Sequence, residues 1–310
     1  MLNKILEDCN FVIENAKYVK INDNKIDELV KNADNIESAH WLSSSPFGLL
    51  DLSVKKIINF LLIFEAIDFS FWGNPKWTIE TRFGSLDGSI ALLYAILEYV
   101  KNTESADFSK VSKEEFSNIL KGNIQIPLFN ERYKIIKNIS IIVNKEMNGN
   151  FYQFIKNINN DKELFKIINK YFPYFKDERI YNGRKIHFYK LAQLLVSDIL
   201  HIRRLKENVI VDYSNLVGCS DYKIPQVLRA LDIIEYNEEL SALIDNKKEI
   251  EMNSEYEVEI RASMIVVINK IKEKMNGNAV AIDINDYLFG QAKNKMIELK
   301  PYHLTRTINY

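Results

Sequence analysis

The chain has 310 residues, 47% hydrophobic and 27% charged, with 41 basic against 42 acidic side chains and a formal net charge of -1. This size can bury a large core and lies near the point where single cores stop growing, while the composition excludes disordered and fibrous classes. The balanced charge gives no overall pull toward nucleic acid or an anionic membrane, no stretch approaches the ~20 apolar residues of a membrane span, and two cysteines, Cys9 and Cys219, allow neither a disulfide framework nor a cysteine zinc site.

The N-terminus, MLNKILEDCNFVIENAKYVK, breaks every apolar run with charge, so no signal peptide is expected, and the cysteine usage fits a cytoplasmic protein. Ten Gly and six Pro leave few turns, and apolar residues recur mostly three and four apart, which predicts a mainly α fold. In chain order the helices are predicted over 2–16, 24–33, 52–66, 89–101, 112–120, 130–147, 150–157, 161–171, 189–206, 223–233, 238–246, 255–275 and 284–296. A small β hairpin is predicted in KWTIETRFGSLDGS, where Trp77 and Ile79 alternate ahead of a turn at Gly84, and YNGRKIHF reads as another. With no repeat, low-complexity tract or Pro/Ser-rich linker, residues 1–310 are expected to form one domain, built as a single unit or as two closely packed helical halves.

Several polar residues sit where packing alone would not put them. In DFSFWGNPKW, Asp68 stands beside Phe69, Phe71 and Trp72; these rings are either core filling or stacking faces for a flat heterocycle, whose donor edge a carboxylate could meet. In GCSDYKIPQVLRALDIIEY, Asp221 is either a helix N-cap or a carboxylate that stabilises positive charge developing on a sugar, and it can do both only if one oxygen stays free. In FYKLAQLLVSDIL, Lys190, Gln193 and Ser197 share a narrow helical arc, with Asp198 off to one side. An inward Lys190 needs an anion, whereas at a first turn it could simply extend to water. Glu259 and Arg261, in EYEVEIRASMIVVINKI, read as an exposed ion pair. The tail KPYHLTRTINY, with His303, Arg306 and Tyr310, is rich enough in rings and charge to dock. Phosphate-loop, dinucleotide, hydrolase-elbow and zinc-protease signatures are missing, and no two of His40, His187, His201 and His303 lie three or four apart, so no metal is expected.

The order of these clusters carries more than any one of them. FEAIDFSFW, DGSIALLYAI, IPLFNERYKII, YFPYFKD, FYKLAQLLVSDI, SDYKIPQVLRAL, EVEIRASMIVV, DINDYLF and HLTRTINY follow one another from about residue 60 to the end. This series resembles the queuosine salvage family, the queuosine 5'-phosphate N-glycosylase/hydrolases. The strongest matches are SDYKIPQ, FYKLAQLLVSD and TRTINY. Four positions depart from the family pattern: Asp68 for Asn, Ser220 for Ala, and Leu191 and Leu304 for Arg.

The resemblance implies a mainly helical fold related to the helix-hairpin-helix DNA glycosylases, with a deep pocket for a modified guanine nucleotide. It implies hydrolysis of the N-glycosidic bond of queuosine 5'-phosphate, with release of queuine for reuse in tRNA. It also implies a catalytic role for Asp221 with Lys190 in the same site, and a base pocket from Asp68, Phe69 and Trp72. Tyr222, Asp286, Gln193, His303 and Arg306 are the further substrate-binding candidates. No cofactor, metal, membrane or direct nucleic-acid partner is expected. Queuine is a 7-deazaguanine, so an acid has no ring N7 to protonate, and catalysis must rest on stabilising the ribosyl cation and on hydrogen bonds elsewhere on the base. Lys190 would keep Asp221 ionised or bind the 5'-phosphate. Asp68 would meet donors of the base or the cationic amine that distinguishes queuine from guanine. The rival readings are a hydrolase of another deazapurine nucleoside and a non-catalytic protein that binds queuine or a tRNA-modifying partner.

Overall fold

The computed structural model describes residues 1–32, 40–44, 46–103, 106–294 and 296–310. The amphipathic periodicity is realised as α1 (Leu2–Glu14), α2 (Asp23–Asn32), α3 (Val54–Ala66), α4 (Gly88–Lys101), α5 (Lys113–Ile119), α6 (Phe129–Glu146), α7 (Phe151–Ile155), α8 (Asp161–Tyr171), α9 (Lys190–Glu207), α10 (Lys223–Ala230), α11 (Glu238–Asp245), α12 (Glu255–Lys274) and α13 (Ala281–Gln291). Local chemistry sets many of the ends. The hydroxyls of Ser53, Ser112 and Ser254 accept the third backbone N–H of α3, α5 and α12, and the side chains of Asn150, Asn160 and Asn237 do the same for α7, α8 and α11. The last helix starts and stops earlier than its apolar spacing predicts, because Asp283 accepts the Val280 N–H at 3.4 Å and pulls the first turn back.

Both predicted hairpins are present. β2 (Thr78–Thr81) pairs antiparallel with β3 (Gly84–Asp87), and β4 (Glu178–Tyr181) pairs with β5 (Arg184–His187). A third pair, β1 (Val19–Ile21) with β6 (Ile234–Tyr236), was not predicted. Strands of three residues are too short to show alternation, and their partners lie more than 200 positions apart in the chain.

Two apolar clusters form the core, and α12 belongs to both. Val258, Ala262 and Ile265 face the larger cluster, built on α1, α3, α4, α6, α8 and α9, while Ile260, Met264, Val267, Ile268 and Ile271 face a smaller one with α10, α11 and α13. A helix apolar on every side is a buried helix, and that is why α12 lacks a polar face over most of its length. The segment from Gly218 to Ile224 passes from one cluster to the other and carries the SDY turn.

Among the described residues no helix is long and apolar enough to cross a membrane.

Candidate active site

The site is assembled at the start of two helices. α9 opens on Lys190, whose backbone N–H donates to Asp177 Oδ2 at 3.3 Å and whose side chain is 8% exposed, so it does not extend to water. Its Nζ lies 3.6 Å from Asp68 Oδ2. Burial works against the ammonium, but Asp68, Glu65 and Asp221 together outweigh it and hold the Lys190 pKa above its ordinary value.

α10 opens on the SDY turn. Asp221 Oδ1 accepts the backbone N–H groups of Lys223 at 2.9 Å and Ile224 at 3.0 Å, which are orphan donors of a helix start. Oδ2 takes no hydrogen bond from the described residues. The capping and functional readings of Asp221 are therefore compatible: one oxygen fixes the carboxylate and the other remains available. Burial raises the Asp221 pKa, and Lys190 and the two backbone donors only partly offset that rise.

Gln193 holds this turn from below. Its Nε2 donates to the carbonyls of Phe188 and Gly218, both at 2.9 Å, and its Oε1 accepts the Val217 N–H at 2.9 Å. The amide is spent on backbone. Gly218 itself has φ +115°, and a Cβ there would sit 2.8 Å from Ile268 Cδ1, so the chain reaches Asp221 by a path only glycine can follow against α12.

Behind both helix starts lies a buried ionic network. Arg261 donates to Asp177 Oδ1 at 2.9 Å and Oδ2 at 2.5 Å, to the Ser220 carbonyl at 3.2 Å and to Glu257 Oε1 at 3.4 Å. Its guanidinium lies between the rings of Phe188 and Tyr310, 4.1 and 4.3 Å away. Arg179 grips Glu257 through Nε at 2.8 Å. Arg261 thus holds at once Asp177, the carboxylate that accepts the first N–H of α9, and Ser220, the residue before Asp221. Glu259 accepts the backbone N–H groups of Lys17, Tyr18 and Val19 and the Tyr181 hydroxyl. Neither Glu259 nor Arg261 is the exposed ion pair expected from sequence: both are fully buried because α12 is covered on all sides.

The remaining candidates are distributed unevenly. Phe69 has no solvent-accessible surface, and the Arg132 guanidinium covers its ring at 4.2 Å while donating to the carbonyls of Ile67, Phe69 and Ser70. Trp72 donates its Nε1–H to the Thr305 carbonyl at 3.3 Å and stacks against the Arg306 guanidinium at 4.3 Å, so tail and aromatic loop are joined. The tail docks further through Ser70, whose N–H donates to the Tyr310 carbonyl at 2.9 Å and whose hydroxyl donates to the Thr307 carbonyl at 2.7 Å. Tyr222 packs on Tyr302 with centroids 4.8 Å apart, and both Asp221 and Asp68 act on its phenol. His303 is buried behind it, its Nε2 3.3 Å from the Tyr310 hydroxyl, and burial pushes its pKa down to about 4.

Asp286 lies near His40 and Asp198, accepts from Asn285 Nδ2 at 3.2 Å, and is pushed up to about 6 by burial. A half-buried carboxylate held ionised at neutral pH costs stability that an amide would not. Because its folded pKa is raised from the ordinary 3.8 to about 6, the penalty is absent below the first value, builds as pH rises between the two and is complete above the second. Asp286→Asn is therefore expected to stabilise the protein by on the order of 1–3 kcal/mol at about pH 7.5 and by little at about pH 4, read by denaturant unfolding at the two pH values.

One group escaped the sequence reading. Glu65, near the end of α3, is fully buried beside Asp68, Lys190 and the equally buried Asp198 of α9. Asp198 Oδ1 accepts the Trp41 Nε1–H at 3.1 Å and lies 3.3 Å from His40 Nε2. The overlooked signal for Glu65 is a lone carboxylate inside the apolar run FLLIFEAI, with no basic residue one helical turn away in either direction.

The sequence model of the queuosine salvage protein family matches residues 50–310. A Sphaerobacter thermophilus protein named queuosine 5'-phosphate N-glycosylase/hydrolase is 30% identical over 265 residues, which cover 83% of this chain and 82% of its own. Proteins of the same name from Dictyostelium discoideum and Bos taurus are 27% and 26% identical, across 100% and 98% of this chain and 99% and 98% of theirs.

Proposed function

The chain belongs to the queuosine salvage protein family, and on that premise we propose that it is an N-glycosidase that hydrolyses queuosine 5'-phosphate and releases queuine. The observation that carries the reading is the Asp221 carboxylate, with one oxygen fixed by two backbone donors, the other free, and a buried ammonium acting on it.

In the reaction, the bond from the ribose anomeric carbon to the base nitrogen breaks and its electron pair leaves with the base. Asp221 Oδ2 faces the cation that results, where a fixed negative charge in a dry site is worth most. Water then supplies the oxygen that bonds to the anomeric carbon, and its proton balance is closed by the departing base. Lys190 keeps Asp221 ionised, since an adjacent ammonium opposes the effect of burial. Asp68 orients Lys190. Trp72, Tyr222, Asp286, His303 and Arg306 belong to the walls around the nucleotide, and Phe69 and Gln193 support those walls from the core. The substrate is the free nucleotide rather than a nucleic acid, in keeping with the balanced charge of the chain.

We also infer kinship with the helix-hairpin-helix DNA glycosylases, supported by a helical body with its reacting carboxylate at a helix start. The two apolar clusters share α12, in keeping with one domain over residues 1–310, and the free, buried Cys9 and Cys219 suit a cytoplasmic site of action. The test is direct. Purified protein incubated with queuosine 5'-phosphate releases queuine, and the same protein releases no guanine from guanosine 5'-phosphate. Failure to free queuine, or equal cleavage of both nucleotides, rejects the reading.

A further inference from the structure

The carboxyl groups around Lys190 outnumber the cations that could serve them. Four buried oxygens receive no hydrogen bond from any N–H or hydroxyl group of the described residues: both of Glu65, Oδ1 of Asp68 and Oδ2 of Asp198. Buried acceptors of this kind are rare in finished cores, and a cluster of them marks a place where a donor arrives from outside. Arg132 cannot be that donor, because its guanidinium is directed at the backbone carbonyls of Ile67, Phe69, Ser70 and Pro127. Lys190 is already shared among Asp68, Glu65 and Asp221.

Glu65 and Asp198 form a distinct pair within the cluster. Glu65 reaches the site from α3 and is faced by Asp198 and Lys190 on α9 and by Asp68 on the loop after α3. Asp198 has its outer oxygen engaged by Trp41 and is flanked by His40 and by Asp286 of α13, which leaves Oδ2 turned to Glu65. Two adjacent carboxyls with free oxygens match a group that carries one positive charge and two N–H donors. A secondary ammonium is such a group. The neutral donor edge of a deazaguanine does not fit as well, since one carboxylate satisfies it and the second would stay unpaired.

Resting on the proposed substrate, we propose that Glu65 and Asp198 seat the cationic amine on the 7-substituent of queuine, each carboxylate accepting one of its two N–H bonds. In the empty site a proton takes the place of the cation. Burial first, and then the Asp198 and Asp68 charges, push Glu65 well above the ordinary carboxyl range, which favours a proton held between Glu65 and Asp198. Arrival of the ammonium sends that proton to solvent. Recognition of the base substituent is thereby coupled to release of one proton, and a base without the amine gains nothing from the pair.

Titration calorimetry tests this with queuine and with 7-deazaguanine, which lacks the amine, in two buffers of different ionisation enthalpy at about neutral pH. The wild-type protein is expected to release close to one proton on binding queuine and none on binding 7-deazaguanine. Glu65→Gln keeps the shape and a donor toward Asp198; it is expected to weaken queuine about 10- to 100-fold, abolish proton release and leave 7-deazaguanine binding unchanged. Asp198→Asn, which can still accept from Trp41, should behave alike. Queuine binding by the wild type without proton release, or equal affinity for the two bases, overturns the inference while leaving the proposed reaction standing. Binding of neither base rejects both.

Discussion

Asp221→Asn is expected to slow queuine release by at least about 10³-fold while moving the melting temperature by less than about 3 °C. The asymmetry comes from the two oxygens doing different jobs. An asparagine carbonyl at the Oδ1 position still accepts the N–H groups of Lys223 and Ile224, so the start of α10 is kept. What is lost is the negative charge, which burial already makes costly to hold. Asp221→Ala removes both functions and is expected to be equally inactive but less stable by ~1 kcal/mol, the usual worth of a side-chain cap. Wild-type turnover in Asp221→Asn would leave capping as the only role of the residue. The pH dependence provides a second reading. Since the folded pKa of Asp221 lies above the ordinary aspartate value, kcat/KM of the wild type should fall on the acid side at a higher pH than an exposed aspartate would give.

The helices were legible because their signal is local. Each predicted helix overlaps an observed one, and those that differ do so at ends where a single side chain, such as Asp283, moves the first turn. The site was legible only in part. Asp221 and Lys190 announce themselves as polar residues at the start of apolar helices, and the structure brings them to a common cluster with Asp68. Their supports do not. Asp177 and Arg261 lie 84 positions apart, and nothing within a helical turn of either one identifies its partner. Gln193 misled in the opposite direction. A polar residue on an inward arc looks like a ligand for substrate, but backbone groups can take both N–H donors and the oxygen of an amide, and here they do. Phe69 teaches the same lesson for rings, since the guanidinium that covers it comes from α6, on a remote part of the chain.

Arg261→Met is expected to be the most destabilising single change near the site, costing about 3–5 kcal/mol and lowering the melting temperature by roughly 5–15 °C. Arg261 is the principal counter-ion of Asp177 and a partner of Glu257, and both carboxylates are buried. With the guanidinium gone, Arg179 alone faces both, at 3.2 Å from Asp177 and 2.8 Å from Glu257. Burial opposes the ionised form of each acid, yet Arg261 and Arg179 depress both pKa values below the ordinary carboxyl range. Acids depressed in this way stabilise the fold above their unfolded pKa and lose that contribution as pH falls through the folded one. The deficit of Arg261→Met should therefore be largest near pH 7 and shrink below about pH 4, where protonation removes the need for a counter-ion. Thermal unfolding of both proteins at the two pH values measures it, and a pH-independent deficit would point to lost packing between Phe188 and Tyr310 instead. Arg261→Lys restores the charge without the fork; it should recover part of the stability and little of the turnover, because one ammonium cannot hold Asp177 at two points and still reach the Ser220 carbonyl next to Asp221.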